Sequence, residues 1–188
     1  MGPVDPVYAG IAPGWLAGGA KAGGPVEGAP LGEGSSSNAV ISLAPVRAHA
    51  LRFDPAFNIT GGEDTEFFSR YLTTGARIVH SAGAVVREDM PLHRATVRWH
   101  WRRWRRTGQT NARIRLAAAP QTLSPQICFA SGLGRIGAGM ALAVAGVLAS
   151  PVTRRVSWAP GARVTARGLG YLDAVRGRYI REYEAPER

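Results

Sequence analysis

A single cysteine, Cys128, in 188 residues excludes an intramolecular disulfide and any cysteine-rich zinc cluster. Its apolar neighbours make it a small buried hydrophobe. Lysine is equally scarce: Lys21 stands alone, and arginine carries the remaining positive side-chain charge. Acid is missing over one long stretch, with no Asp or Glu from Met90 to Leu172, whereas thirteen Arg fall in that window. The net charge of +10 is therefore regional. Residues 1–89 carry nine acids against six Lys and Arg, and residues 173–188 are balanced. An acidic part precedes a cationic one.

The length allows one domain, or a small one with an appendage. Residues 1–36 are dominated by Gly, Pro and Ala and read as irregular chain, with Trp15 and Leu16 as anchors. The most informative stretch is Thr60-Gly-Gly-Glu-Asp-Thr-Glu-Phe-Phe-Ser-Arg70. Phe67, Phe68, Tyr71 and Leu72 recur at helical spacing, and Gly75 marks the helix end. Thr60 and Glu63 fit a capping box, with Thr60 expected as N-cap. That accounts for Glu63. It leaves Asp64 unexplained, and also two glycines where better helix formers would serve.

The run Phe53-Asp54-Pro55 … Gly61-Gly62-Glu63-Asp64-Thr65-Glu66-Phe67-Phe68 resembles the acceptor-side half of family 2 glycosyltransferases, which have the GT-A fold. Ser37-Asn38-Ala39-Val40-Ile41 is similar to the strand preceding this element in the family, and Gly75–Val79 and Ala84–Glu88 continue the likeness. It covers roughly residues 36 to 110. The resemblance implies an α/β fold, a partial GT-A domain followed by a basic amphipathic helix and an apolar one. It also implies that Asp64, beside Glu63, is the general base that deprotonates the acceptor hydroxyl. Gly61, Gly62, Glu88 and Trp104 would then line the acceptor side. For Glu88 an ion pair with an Arg of the next helix is an equal reading. Relatives hold a divalent metal, Mg or Mn, on an Asp-x-Asp motif, because a hard cation neutralises the leaving diphosphate. No Asp-x-Asp occurs here, and Asp64-Thr65-Glu66 lies inside a helix. The expectation is an acceptor half without its donor half, a truncated form inactive by itself that binds no metal alone. The four histidines read as structural.

From Arg94 onward, Val97, Trp101, Trp104 and Gly108 align on one helical face, with Arg98, Arg102, Arg105 and Arg106 filling much of the remainder. Three readings stay open: a stripe packed on the domain, a helix lying on anionic lipid, or a catalytic element. For the third, His100-Trp-Arg-Arg-Trp104 resembles the Gln-x-x-Arg-Trp motif of processive relatives, in which Arg103, with Arg102, would bind diphosphate through its planar fork. Residues 136–152 carry no charge, and 127–152 are broken only by Arg135. About 20 apolar residues span a bilayer, so a buried core helix competes with membrane insertion or docking. Arg113, Arg115, Arg154 and Arg155 flank both ends and favour a surface-lying or re-entrant segment.

The expected organisation is thus 1–36 irregular, 37–93 partial GT-A, 94–126 Arg/Trp helix, 127–152 apolar membrane-associated segment, and 153–188 basic tail with a short helix. The expected partners are a nucleotide-sugar donor, a glycan or lipid-linked acceptor, and an anionic membrane at its cytoplasmic face. The alternative is a non-catalytic membrane-surface protein. Nucleic acid is not expected, since no fold module accompanies the charge.

Overall fold

A computed structural model describes residues 1–8, 10, 13–17, 24–118, 124–153 and 158–183. In chain order the elements are β1 (Val4–Tyr8), α1 (Gly14–Ala17), β2 (Pro30–Leu31), α2 (Leu43–Ala48), α3 (Glu63–Thr73), β3 (Ile78–Val79), β4 (Val86–Met90), α4 (Val97–Ala118), α5 (Pro125–Thr153) and α6 (Trp158–Val175). The class is mixed α/β with helix dominant. The strands form two separate two-stranded ladders: β1 with β4, and β2 antiparallel to β3, where Pro30 faces Val79 and Leu31 faces Ile78.

The described residues fall into two compact units. One is drawn from Met1–Val7, Ala22–Asp89 and Arg181–Arg188, the other from Tyr8–Lys21 and Met90–Ile180. The two units thus interleave along the chain. Residues 1–36, read as irregular, hold β1, α1 and β2, because backbone pairing with β3 and β4 compensates for their poor intrinsic propensity.

In the first unit, α3 buries Phe67, Phe68 and Tyr71 against Leu51 and Ile78, with Leu31, Ile41, Val46 and Leu72 packed around them. Phe53 stacks on Phe67 at 4.7 Å. Gly75 follows the C-cap Thr74 at φ +85°, where its N–H bonds the Leu72 carbonyl. The start of α3 differs from the expected capping box. Gly61 (φ +70°) and Gly62 (φ +93°) are both left-handed, Gly62 is the N-cap, and no side chain caps the helix. Two left-handed residues redirect the chain, and Thr60 turns its hydroxyl to the carbonyls of Phe57 and Gly61 instead. Residues 37–41 form no strand. Ser36–Asn38 is a 3-10 turn, and Asn38 spends its amide on the carbonyls of Pro3 (2.9 Å) and Ala84 (2.6 Å).

In the second unit, α6 packs on α5 along one side and on α4 along another. The seams are made of small residues. A Cβ at Gly161 would meet the Ala143 backbone and the Gly139 carbonyl oxygen, and one at Gly170 would meet the Arg105 carbonyl oxygen. Ala112, Cys128, Tyr171 and Ala174 form the buried cluster where the three helices meet. α4 buries Gly108, Gln109, Thr110 and Ala112; Gly108 belongs to the expected stripe, in which Trp101 and Trp104 are half-buried and Val97 is 44% exposed. At 100° per residue Gly108 and Ala112 share the face of Trp101, and backbone approach at Gly108 and Gly170 makes this the closest part of the seam. The helix expected in the basic tail is α6, which ends at Val175.

Candidate functional site

The carboxylates expected to be catalytic open α3, which carries Glu63, Asp64 and Glu66 in its first turn. There they meet the partial positive charge of the helix end. Asp64 is half-buried and held on both oxygens. Its Oδ2 accepts from Ser35 Oγ at 2.9 Å and from the Ser36 amide at 3.3 Å. Its Oδ1 accepts from the Thr65 amide at 2.7 Å and Thr65 Oγ1 at 3.3 Å. Four donors match the four lone-pair positions of a carboxylate.

The loop that supplies Ser35 and Ser36 is fixed by its neighbour. Gly34 lies against Phe68 so closely that a Cβ there would fall 2.5 Å from the ring carbon Cγ. Burial of Phe68 and presentation of Ser35 to Asp64 are therefore one packing event. Glu63 Oε2, next in the same turn, is shielded from solvent and has no hydrogen-bond partner among the described residues. Glu66 is committed elsewhere, in a two-bond pair with Arg70 at 2.5 and 2.7 Å. That pair raises the Arg70 pKa above its ordinary value, chiefly through the hydrogen bond to Glu66, against a smaller opposing effect of burial.

The first unit also carries Gly61, Gly62 and Glu88. Gly61 and Gly62 form the left-handed approach to Glu63 and Asp64. Glu88 lies on β4, where residues 86–89 are all exposed. His80 is buried, and its backbone pairs with Gly28 and Ala29. Among the described residues no three His, Cys, Asp or Glu side chains are grouped to hold a metal ion.

The second unit holds Arg102, Arg103 and Trp104, all on α4. Arg102 and Arg103 are exposed, and the Arg103 guanidinium lies 5.2 Å over the Trp99 ring, which Arg94 also approaches at 5.6 Å. Trp104 belongs to an aromatic cluster. Trp15 meets it edge-on at 6.5 Å, meets His100 at 5.1 Å, and tilts against Trp158 at 5.7 Å. His100 is half-buried among these rings, and its Nε2 lacks a hydrogen-bond partner among the described residues. Burial, with the nearby Arg103 charge, pushes its pKa below the ordinary histidine value, against a smaller opposing bond to the Arg94 backbone.

Sequence reasoning missed three features. Ser35 and Ser36 sat in a stretch read as irregular; the run of three serines was the available signal. Asp173, 5% exposed, accepts from Arg105 Nε at 2.5 Å and Nη2 at 2.8 Å, and from Gln109 Nε2 at 3.0 Å. It is the first carboxylate after the acid-free stretch, which was its signal. The pairing of Trp15 with α4 left no mark in the sequence.

No family model and no solved structure matches the chain. It is 33% identical over 120 residues to the succinoglycan biosynthesis protein ExoM of Rhizobium meliloti (strain 1021). That stretch covers 61% of this chain and 38% of that protein, so the chain spans well under half the length of this relative.

Proposed function

We propose that this chain carries the acceptor-side half of an inverting family 2 glycosyltransferase of GT-A fold, acting in polysaccharide biosynthesis at the cytoplasmic face of a membrane. The observation that carries the reading is the similarity to a succinoglycan biosynthesis protein, in a chain whose Asp64 opens a helix behind two left-handed glycines. Asp64 draws the proton from the attacking sugar hydroxyl as the new glycosidic bond forms. Its lone pairs are all engaged, so an incoming hydroxyl takes the place of Ser35 Oγ on Oδ2. The exchange is between like donors, hydroxyl for hydroxyl, and the carboxylate gives up its charge only when the sugar proton passes to it. Glu63 Oε2, an unmet acceptor one residue away, offers a second hydrogen bond to the same sugar. Arg102 and Arg103 steady the departing diphosphate of a nucleotide-sugar donor, and Mg or Mn comes with that donor.

The test is sugar transfer from nucleotide-sugar donors with Mg or Mn to lipid-linked acceptors, beside saturation-transfer NMR with succinoglycan oligosaccharides. Asp64→Asn is expected to cost about a hundredfold or more in rate, and Asp64→Ala to weaken saturation transfer. Folded wild-type protein that neither transfers sugar nor receives saturation from the oligosaccharides overturns the reading. A second reading, a non-catalytic membrane-surface protein, draws on the exposed apolar side chains of α5. It separates from the first on whether a nucleoside-diphosphate sugar binds at all.

A further inference from the structure

The least satisfied surface of the described residues is the outer flank of α5. Its stretch Pro125–Ala149 is long and apolar enough to cross a bilayer, yet only 11% of it is buried. Cys128, Gly132, Gly139 and Ala143 face α6. At 100° per residue, Leu133, Met140, Val144, Val147 and Leu148 fall on one flank about 100° wide, and each is at least half exposed, Leu148 reaching 74%. The one charge within the stretch is turned away from that flank. Arg135 lies 4.4 Å over the Tyr171 ring of α6 and donates to the Ser131 carbonyl at 3.1 Å. The outward face of α5 is therefore uncharged from end to end.

A second copy of the chain is a poor cover for this flank. The window from Met90 to Leu172 holds thirteen Arg and no acid, so two copies would bring like charge together. An anionic lipid surface answers both features at once, taking the apolar side chains and pairing with the arginines. The manner of insertion follows from α6. It is seated along α5 from Gly132 to Ala143 and carries Arg163, exposed, and Arg167. On its other side it holds α4, with exposed Arg98, Arg102 and Arg103. A spanning α5 would draw these charges into hydrocarbon, which is costly.

We propose that α5 lies in the plane of one leaflet of an anionic bilayer, its Leu133–Leu148 flank among the acyl chains, while α6 and α4 stay at the headgroups. This deepens the membrane-face part of the function proposed above and rests on it, but the experiment contains no sugar, donor or acceptor. Its failure therefore leaves the transferase reading to its own test.

The experiment is flotation of the full chain with phosphatidylglycerol–phosphatidylcholine vesicles, followed by labelling. Wild type is expected to float, and to float less in about 0.5 M NaCl. Val144→Asp with Leu148→Asp should lower the partition coefficient about tenfold or more, whereas Val26→Asp, at an exposed site of the first unit, should leave it unchanged. An environment-sensitive nitrobenzoxadiazole label on Ile127→Cys or Ala149→Cys reports topology, with wild type, whose Cys128 is buried, as the blank. Dithionite added outside should reduce both labels. Protection of one of the two means a spanning helix and overturns the proposal. So does failure to float by protein whose circular dichroism shows it folded, or a concentration-dependent dimer that the paired Asp substitutions abolish.

Discussion

Asp173→Ala tests the seam between α4 and α6 directly. The carboxylate side chain is 7% exposed and receives a two-bond clasp from Arg105, whose own side chain is 39% exposed. Removing one partner of a fully buried pair costs about 3–5 kcal/mol, because the survivor is left charged and dry. Here water reaches the guanidinium, so the loss falls to about 2 kcal/mol. Gln109 suffers less. Its Nε2 retains the Arg178 carbonyl at 3.2 Å and its Oε1 still accepts from the Ile180 amide at 3.0 Å, so its share is below about 1 kcal/mol. The expected total is about 2–3 kcal/mol, a fall of about 1–2 M in the urea midpoint. All five tryptophans, at 15, 99, 101, 104 and 158, belong to the second unit, so intrinsic fluorescence follows this seam and not the first unit. The coupling between Arg105→Ala and Asp173→Ala should reach about 1 kcal/mol or more. A midpoint shift under about 0.3 M, or a coupling within about 0.3 kcal/mol of zero, would refute the reasoning.

Two further outcomes are expected. Because the His100 pKa is lowered in the folded chain, its contribution to stability is complete above the ordinary histidine value of 6.5. It is lost as pH falls from there through the folded value, since the unfolded chain binds the proton first; urea midpoints from pH 8 to 5 should decline for wild type and flatten for His100→Asn. Gly161→Leu drives a side chain into the backbone of α5 and should cost more than about 3 kcal/mol. Gly134→Ala, where nothing lies within 4 Å, should gain about 1 kcal/mol of helix propensity, and thermal melts by circular dichroism separate the two.

Periodicity alone located α3, because Phe67, Phe68 and Tyr71 are large enough to dictate which face is buried. It failed at the start of that helix. A capping box and a left-handed glycine entry share the same letters, and only the φ angles of Gly61 and Gly62 separate them. For α4 the tryptophans marked the face but not its tightest point. Hydrophobic weight favours Trp101 and Trp104, but the tight seam is set by Gly108, whose advantage is an absent side chain that no hydropathy pattern records. The apolar run of α5 was plain from composition, whereas its pairing with α6 through Gly132 with Gly168 and Gly139 with Gly161 depends on partners 36 and 22 residues along the chain. At the candidate site the Glu63-Asp64 pair was readable. Ser35 was not, since its link to Asp64 passes through the fit of Gly34 on Phe68.

The two units are threaded through one another along the chain, and this governs how the protein is made and how it can be cut. Trp15 docks among α4 and α6 residues, and the Glu182 amide returns to the Ile59 carbonyl. On a ribosome, the first unit waits for residues beyond 180 before its last backbone bonds close, so the two units mature late and together. No single peptide-bond cleavage frees either one whole, so trimming from one end removes part of both.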